Sequence, residues 1–174
     1  MNIDLRFYIR DVPDFPKIGV MFKDITPLLQ NPDAFATAVD KLAEPYRANP
    51  PDLLAAVEAR GFIFAGAVAH KLGCGFVPLR KPGKLPSGTI QEAYELEYGN
   101  AVIEAHQDAI PKDSQVLILD DLLAIGGTAT AAVNLVERTG GQVVGMAFLI
   151  ELDFLGGRKR LEGRPIHSVI HYAE

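Results

Sequence analysis

Residues 116–130 read VLILDDLLAIGGTAT, and the order of residue types in this stretch decides the fold. Four apolar residues, Val116-Leu117-Ile118-Leu119, end in two adjacent carboxylates, Asp120 and Asp121. A run apolar on both faces is what a parallel strand needs, because helices cover both sides of such a sheet. Gly126, Gly127 and Thr128 then predict a tight turn, and residues 128–138 predict a helix. Ala129, Ala132, Val133 and Val136 share one face of that helix, and Gly140-Gly141 end it.

The same alternation extends outward on both sides. Leu53–Val57 and Gly75–Leu79 read as buried strands, with a helix over 62–72 between them closed by Gly73. Pro111-Lys112-Asp113 turns into a strand over 115–119, and 143–150 make another fully apolar strand. Short apolar runs alternating with helical patterns predict an α/β fold, a parallel twisted sheet flanked by helices. Residues 94–98 and 101–105 flank Gly99-Asn100, which predicts a hairpin. The glycine- and proline-rich stretch 81–89 before it predicts a flexible loop. The proline-containing ends, 1–30 and 151–174, are expected to pack together as a small hood. That leaves a core of about 31–150 within a single domain over 1–174.

The bulk numbers suit one domain: 174 residues, 48% hydrophobic and 22% charged. No apolar run approaches the roughly 20 residues that span a bilayer, so no membrane partner is expected. The N-terminus lacks a signal-peptide core, and the single cysteine, Cys74, agrees with a reducing compartment; a cytoplasmic location is expected. A net charge of −5 disfavours nucleic acid, whose phosphates require a basic face. An anion would need a local cluster, and Arg80-Lys81-Pro82-Gly83-Lys84 is one.

In open parallel sheets ligands bind beyond the carboxyl ends of the strands, where Asp120 and Asp121 stand. Carboxylates accept hydrogen bonds from hydroxyls, while free amides at a glycine turn opening a helix hold an anion. A vicinal diol one sugar-length from a phosphate satisfies both, and ribose 5-phosphate has that shape. The plainer alternative is that Asp121 ends a strand and Thr128 caps a helix. Two adjacent carboxylates at a buried strand end, without nearby basic residues in sequence, are costly unless a ligand uses them. Other nucleotide signatures fail, for there is no GxGxxG and the turn lacks the P-loop lysine. His70, His106, His167 and His171 show no metal-ligand spacing, and no residue is assigned to a metal.

The opening stretch resembles the phosphoribosyl pyrophosphate motif of the type I phosphoribosyltransferases. Within them it is similar to the form in the adenine phosphoribosyltransferase family, usually VDDLLATGGT. The likeness covers nearly the whole chain. Residues 15–28 (FPKIGVMFKDITPL) resemble that family's N-terminal signature, and Glu58-Ala59-Arg60-Gly61-Phe62 its pyrophosphate loop. Residues 80–86 (RKPGKLP) and 94–99 (YELEYG) resemble its flexible-loop region.

The resemblance implies the type I phosphoribosyltransferase fold and transfer of a phosphoribosyl group to adenine, giving AMP and pyrophosphate. It implies magnesium as cofactor, carried with the phosphoribosyl pyrophosphate, and a homodimer. Asp120 and Asp121 would hold the ribose hydroxyls and favour a cation-like transition state. Ala124, Ile125, Gly126, Gly127 and Thr128 would hold the 5′-phosphate. Arg60, with Arg80, Lys81 and Lys84, would serve the pyrophosphate. The plain alternatives are a salt bridge from Arg60 to Glu58 and a solvated basic loop. Phe22 would stack on adenine with Leu152 on the opposite face, though its sequence context fits core equally well. Lys23, where the family commonly has arginine, would contact the base through its backbone. Glu97 would act as acid/base on the purine, with Tyr98 beside it in the lid; a solvent-facing hairpin glutamate is the alternative.

Ile125 departs from the family, which usually has threonine there. A hydroxyl bonded to a charged phosphate contributes about 1.5–3 kcal/mol, roughly tenfold to hundredfold in binding. Weaker affinity for the donor is therefore expected, unless a neighbour such as Thr130 replaces the hydroxyl. Two other functions stay open: transfer to another purine base, and a weakened or regulatory protein that binds the donor without turnover. A regulator of that kind carries a DNA-binding domain, for which no room is expected before Phe15.

Overall fold

The computed structural model describes residues 3–96 and 99–174, which form two compact units, the first ending at Lys41 and the second running from Leu42 to Glu174. In the first, β1 (Arg10–Pro13) and β2 (Met21–Asp24) pair antiparallel, and α1 (Thr26–Gln30) follows with proline in its first turn. Then α2 (Pro32–Ala43) leads out of that unit.

The second unit is built on a parallel sheet of five strands in the order β4-β3-β7-β8-β9. These are β3 (Leu53–Val57), β4 (Gly75–Leu79), β7 (Gln115–Leu123), β8 (Gln142–Leu152) and β9 (Ile166–Tyr172). Helix α3 (Arg60–Leu72) connects β3 to β4, and α4 (Gly127–Arg138) connects β7 to β8. A hairpin of β5 (Thr89–Leu96) and β6 (Gly99–His106) forms its own two-stranded sheet. The short helix α5 (Gly157–Arg160) lies between β8 and β9.

The apolar runs become the central strands because both of their faces are covered. Ala55, Val77, Ile118 and Phe148 share one core with Val133 and Val136 of α4 and Ile103 of the hairpin. Alternate residues such as Leu54 and Leu117, also fully buried, point to the opposite face, against which α3 packs. Gly73, left-handed at φ +71°, ends α3 as the sequence predicts.

Three expectations need correction. The strand expected over 115–119 continues to Leu123, so Asp120 and Asp121 lie inside its last turn of ladder rather than beyond it. Gly99 and Asn100, expected as a hairpin turn, begin β6 instead, with Leu96 opposite Gly99. The mixed polar pattern of that ribbon gives sequence reasoning little with which to fix its register. Residues 166–172, expected in a terminal hood, form the edge strand of the main sheet. Their mixed run, Ile166-His167-Ser168-Val169-Ile170, is polar enough for an edge and so lacks the signature of a buried strand.

A buried carboxylate joins that edge strand to its neighbour. Glu151 on β8 accepts from Arg158 Nε at 2.9 Å and Nη2 at 2.6 Å, and from Ser168 Oγ on β9 at 2.6 Å. Burial works to raise its carboxyl, yet the Arg158 guanidinium and the Ser168 hydroxyl outweigh it and leave it below the ordinary value. Glu151→Ala strips three bonds from two side chains, a loss of about 2 kcal/mol. In thermal melts it is expected to lower the midpoint by roughly 4–8 °C.

Candidate active site

The carboxyl edge of β7 is where charge collects. Asp121 is 6% exposed, and Arg60, the first residue of α3, sets its Nε 2.9 Å from Asp121 Oδ2. The sequence alternative of an Arg60–Glu58 bridge is therefore replaced by a pair that spans two elements. Asp120 turns its Oδ1 back to accept the Asp121 N–H at 2.9 Å. The same oxygen lies against the start of α3, where a Cβ on Gly61 would stand 2.8 Å from it. Only glycine lets the helix approach so near.

Burial raises the Asp120 carboxyl well above the ordinary value, and the charge of Asp121 adds to the rise. Burial raises Asp121 also, but the Arg60 guanidinium holds it back.

Past β7 the chain makes the turn 124–128. Gly126 is left-handed at φ +84°, and no side chain among the described residues caps α4 behind it. The first-turn amides of a twelve-residue helix thus start at the carboxyl edge of the sheet with the positive end of its dipole and no side-chain cap. Thr130, weighed above as a substitute for the missing hydroxyl, is engaged elsewhere, since its Oγ1 donates to the Gly126 carbonyl at 2.8 Å. Ile125 is half-buried in the turn, beside a cleft of about 450 Å³ that Glu95, Lys159 and Arg160 also line.

The hairpin lies directly over this turn. A Cβ on Gly127 would run into the Glu95 carbonyl oxygen, so the backbones touch there. Tyr94 shares a side-chain hydrogen bond with Thr128; burial pushes its phenol up. Glu92 accepts from Asn134 Nδ2 at 2.8 Å and pairs with Arg138 at 2.9 Å, fixing the strand along α4.

The basic loop sits beside the start of α3. Glu58 Oε1 accepts the Lys81 N–H at 2.5 Å, and Arg80 Nη2 lies 3.2 Å from Glu58 Oε2. Burial works to raise the Glu58 carboxyl, but the Lys81 amide and the Arg80 guanidinium overcome it and bring it below the ordinary value. The peptide bond between Glu58 and Ala59 is cis. Gly83 N–H reaches the buried Glu104 at 3.2 Å, tying the loop to β6, while Lys84 is exposed.

The second unit therefore brings together Arg60, Asp120, Asp121 and the turn 124–128, with Arg80 and Lys81 joined to Glu58. Leu152 is buried at the end of β8. In the first unit, Phe22 lies on β2 edge-to-face with Phe15 at 5.0 Å, and Lys23 Nζ pairs with Asp11 at 2.7 Å. Glu97 and Tyr98 lie outside the described residues. The sequence reading missed Gly61, Tyr94 and the Glu58–Arg80 pair. The basic run Arg158-Lys159-Arg160 after Gly156-Gly157 was the visible signal for a further charged edge.

A metal has one other grouping to consider among the described residues, Glu151, Asp153 and His171, whose ligand atoms lie within 4.8 Å of one another. Glu151 there is saturated by Arg158 and Ser168, and a guanidinium at 2.6 Å repels a cation. Among the described residues no helix is long and apolar enough to cross a membrane.

A family model, the phosphoribosyl transferase domain, matches residues 25–167. The adenine phosphoribosyltransferase of Thermobifida fusca is 60% identical over 154 residues, 88% of each chain. The chain belongs to the adenine phosphoribosyltransferase family. The crystal structure of the adenine phosphoribosyltransferase from Thermoanaerobacter pseudethanolicus superposes with a TM-score of 0.93 at 50% identity, over 97% of this chain and 98% of that one. The Saccharomyces cerevisiae enzyme, complexed with an imino-altritol bisphosphate and adenine, gives 0.88 at 39% identity, over 95% and 96%.

The raised Asp120 carboxyl makes a stability prediction for the family member without ligand. A group whose folded value lies above its unfolded one, 3.8, stabilises fully below that value. That contribution is lost as pH rises through the folded value. Asp120→Asn keeps the bond to the Asp121 N–H and removes the buried charge. Denaturant or thermal melts are expected to find the variant no less stable near pH 4. At pH 8 it gains about 2–4 °C, the shift of ~1 kcal/mol in a chain this size. An equal or lower midpoint at pH 8 contradicts the assigned cause.

Proposed function

We propose that this protein transfers the 5-phosphoribosyl group from phosphoribosyl pyrophosphate to adenine, releasing AMP and pyrophosphate in purine salvage. The observation that carries the reading is the pairing of two adjacent carboxylates, one buried and one half-buried, with an uncapped helix start, six residues apart in one strand–turn–helix unit. Asp120 and Asp121 accept hydrogen bonds from the ribose 2′- and 3′-hydroxyls. The amides of Gly126, Gly127 and Thr128, with Ala124 and Ile125 completing the turn, take the 5′-phosphate. Arg60 stands next to the diols' carboxylates and, with Arg80, Lys81 and Lys84, meets the pyrophosphate.

The reaction forms the bond from the purine nitrogen to the anomeric carbon and breaks the bond from that carbon to pyrophosphate, which leaves with the electron pair. Positive charge on the sugar grows between these events, and the two carboxylates favour it in a site of low dielectric. Glu97 takes the proton that the attacking purine sheds. Contacts to the base are assigned to Phe22, to the Lys23 backbone and to Leu152, and Tyr98 is assigned with Glu97. Lid closure keeps water from the cation-like sugar.

Magnesium suits this donor set as an ion carried by the substrate. It favours water and phosphate oxygens, and both aspartates already spend an oxygen on Arg60 or on a backbone amide. Bound there it would neutralise charge on the pyrophosphate as it leaves. The working protein is a cytoplasmic homodimer.

Incubation with phosphoribosyl pyrophosphate, magnesium and each purine base is expected to give AMP from adenine and no other nucleotide at comparable rate. IMP or GMP in place of AMP would overturn the base assignment. Ile125→Thr restores one hydroxyl to the turn, and Thr130 is not free to stand in for it. The variant is expected to lower the donor KM about tenfold, the equivalent of ~1.4 kcal/mol. An unchanged donor KM would show that position 125 does not reach the phosphate.

A further inference from the structure

The segment 155–160 has no part in the scheme above, yet it packs against the phosphate turn backbone to backbone. A Cβ on Gly157 would run into the Ala124 carbonyl and stand 3.0 Å from Gly126 N. A Cβ on Gly126 would in turn lie 2.8 Å from the Gly157 carbonyl. Two glycines facing each other let α5 approach the turn this closely, and the approach delivers Arg160. Its Nη1 stands 3.6 Å from where a Gly127 Cβ would be, alongside the first residue of α4.

Among the described residues Arg160 has one charged partner there, and it comes from the hairpin. Its Nη2 lies 3.1 Å from Glu95 Oε2, with the Arg160 side chain 46% exposed and that of Glu95 72% exposed. An exposed pair of this kind is held weakly and exchanges readily. Ile125, which brings no hydroxyl, lines the same cleft as Glu95, Lys159 and Arg160.

We propose that Arg160 is a ligand of the donor's 5′-phosphate, supplying at the turn what Ile125 does not, and that Glu95 holds it in reserve until the phosphate arrives. The inference rests on the donor-site reading given above. A phosphate dianion seated on the α4 amides is a stronger partner for a guanidinium than one exposed carboxylate. Its charge also repels Glu95, so the guanidinium changes partner and the hairpin carboxylate turns to solvent. Glu95 is thus a competitor for Arg160, and removing its charge strengthens donor binding.

Steady-state kinetics of AMP formation test this with three variants. Arg160→Gln is expected to raise the donor KM about tenfold, the effect of one charge-assisted bond. The adenine KM and the kcat at saturating donor stay within about twofold, the split expected for uniform binding. Glu95→Gln is expected to lower the donor KM a few-fold, opposite in sign to what loss of a merely structural salt bridge gives. The double variant behaves as Arg160→Gln alone. Calorimetric titration with ribose 5-phosphate follows the same order. An unchanged donor KM in Arg160→Gln overturns the inference while leaving the reaction assignment intact. A raised KM in Glu95→Gln overturns the reserve role even if Arg160→Gln folds poorly. A wild-type protein that forms no AMP removes the donor-site reading, and this inference with it.

Discussion

Two like charges, one residue apart, are held at the carboxyl end of a strand whose preceding residues are wholly buried. Everything at the site follows from how that cost is met. Arg60 meets part of it by pairing with Asp121. The pairing requires α3 to start directly against β7, which requires that Gly61 carry no side chain. Asp120 accepts a backbone amide and feels a weaker pull from Arg60, while burial and the charge of Asp121 oppose its ionised form. A sugar diol and the cation that forms beside it are what a carboxylate so placed can serve. The fold keeps Asp120 partly uncompensated, a loss of stability in the free protein.

The main sheet was legible in the sequence because its strands are covered on both faces and therefore apolar throughout. Leu53–Val57 and Gly75–Leu79 are found with the bounds expected of them. Edge elements lack that property. β9 carries His167, Ser168 and His171, and β5 alternates charged with apolar residues, so neither announces its position. The twin aspartates and the glycine turn stood out by chemistry, as residues too costly to be incidental. Their partners did not. Arg60 meets Asp121, and Arg80 meets Glu58, only because α3 and β4 return to the same edge of the sheet. Nothing in the local run of residues encodes such a meeting, whereas a network joining β8 to β9 through Arg158 needs the same kind of long-range knowledge.

Main-chain recognition explains how the turn tolerates isoleucine at position 125. A phosphate held by helix amides depends on backbone direction, and that direction is fixed by Gly126 in its left-handed conformation and by the α4 ladder that follows. Thr130 contributes to this geometry rather than to the ligand, since its hydroxyl bonds the Gly126 carbonyl one turn back. A side-chain hydroxyl at 125 therefore tunes affinity without building the site, and its loss leaves the frame in place.

The same frame limits where compensation can come from. The turn is enclosed by α4 on one side, the hairpin backbone over Gly127, and α5 against Ala124 and Gly126. Two of these contacts are backbone to backbone and leave no room for a new side chain. The α5 contact also brings a guanidinium, that of Arg160, to the rim beside a carboxylate that belongs to the hairpin. A cation at that place acts over a longer range than a hydroxyl and needs less exact aim, so a half-exposed arginine can serve where a threonine must be fixed. Its pairing with Glu95 also joins the hairpin to the state of the phosphate site. Whatever draws the guanidinium inward frees the hairpin carboxylate, so the charge balance of the hairpin depends on what occupies the turn.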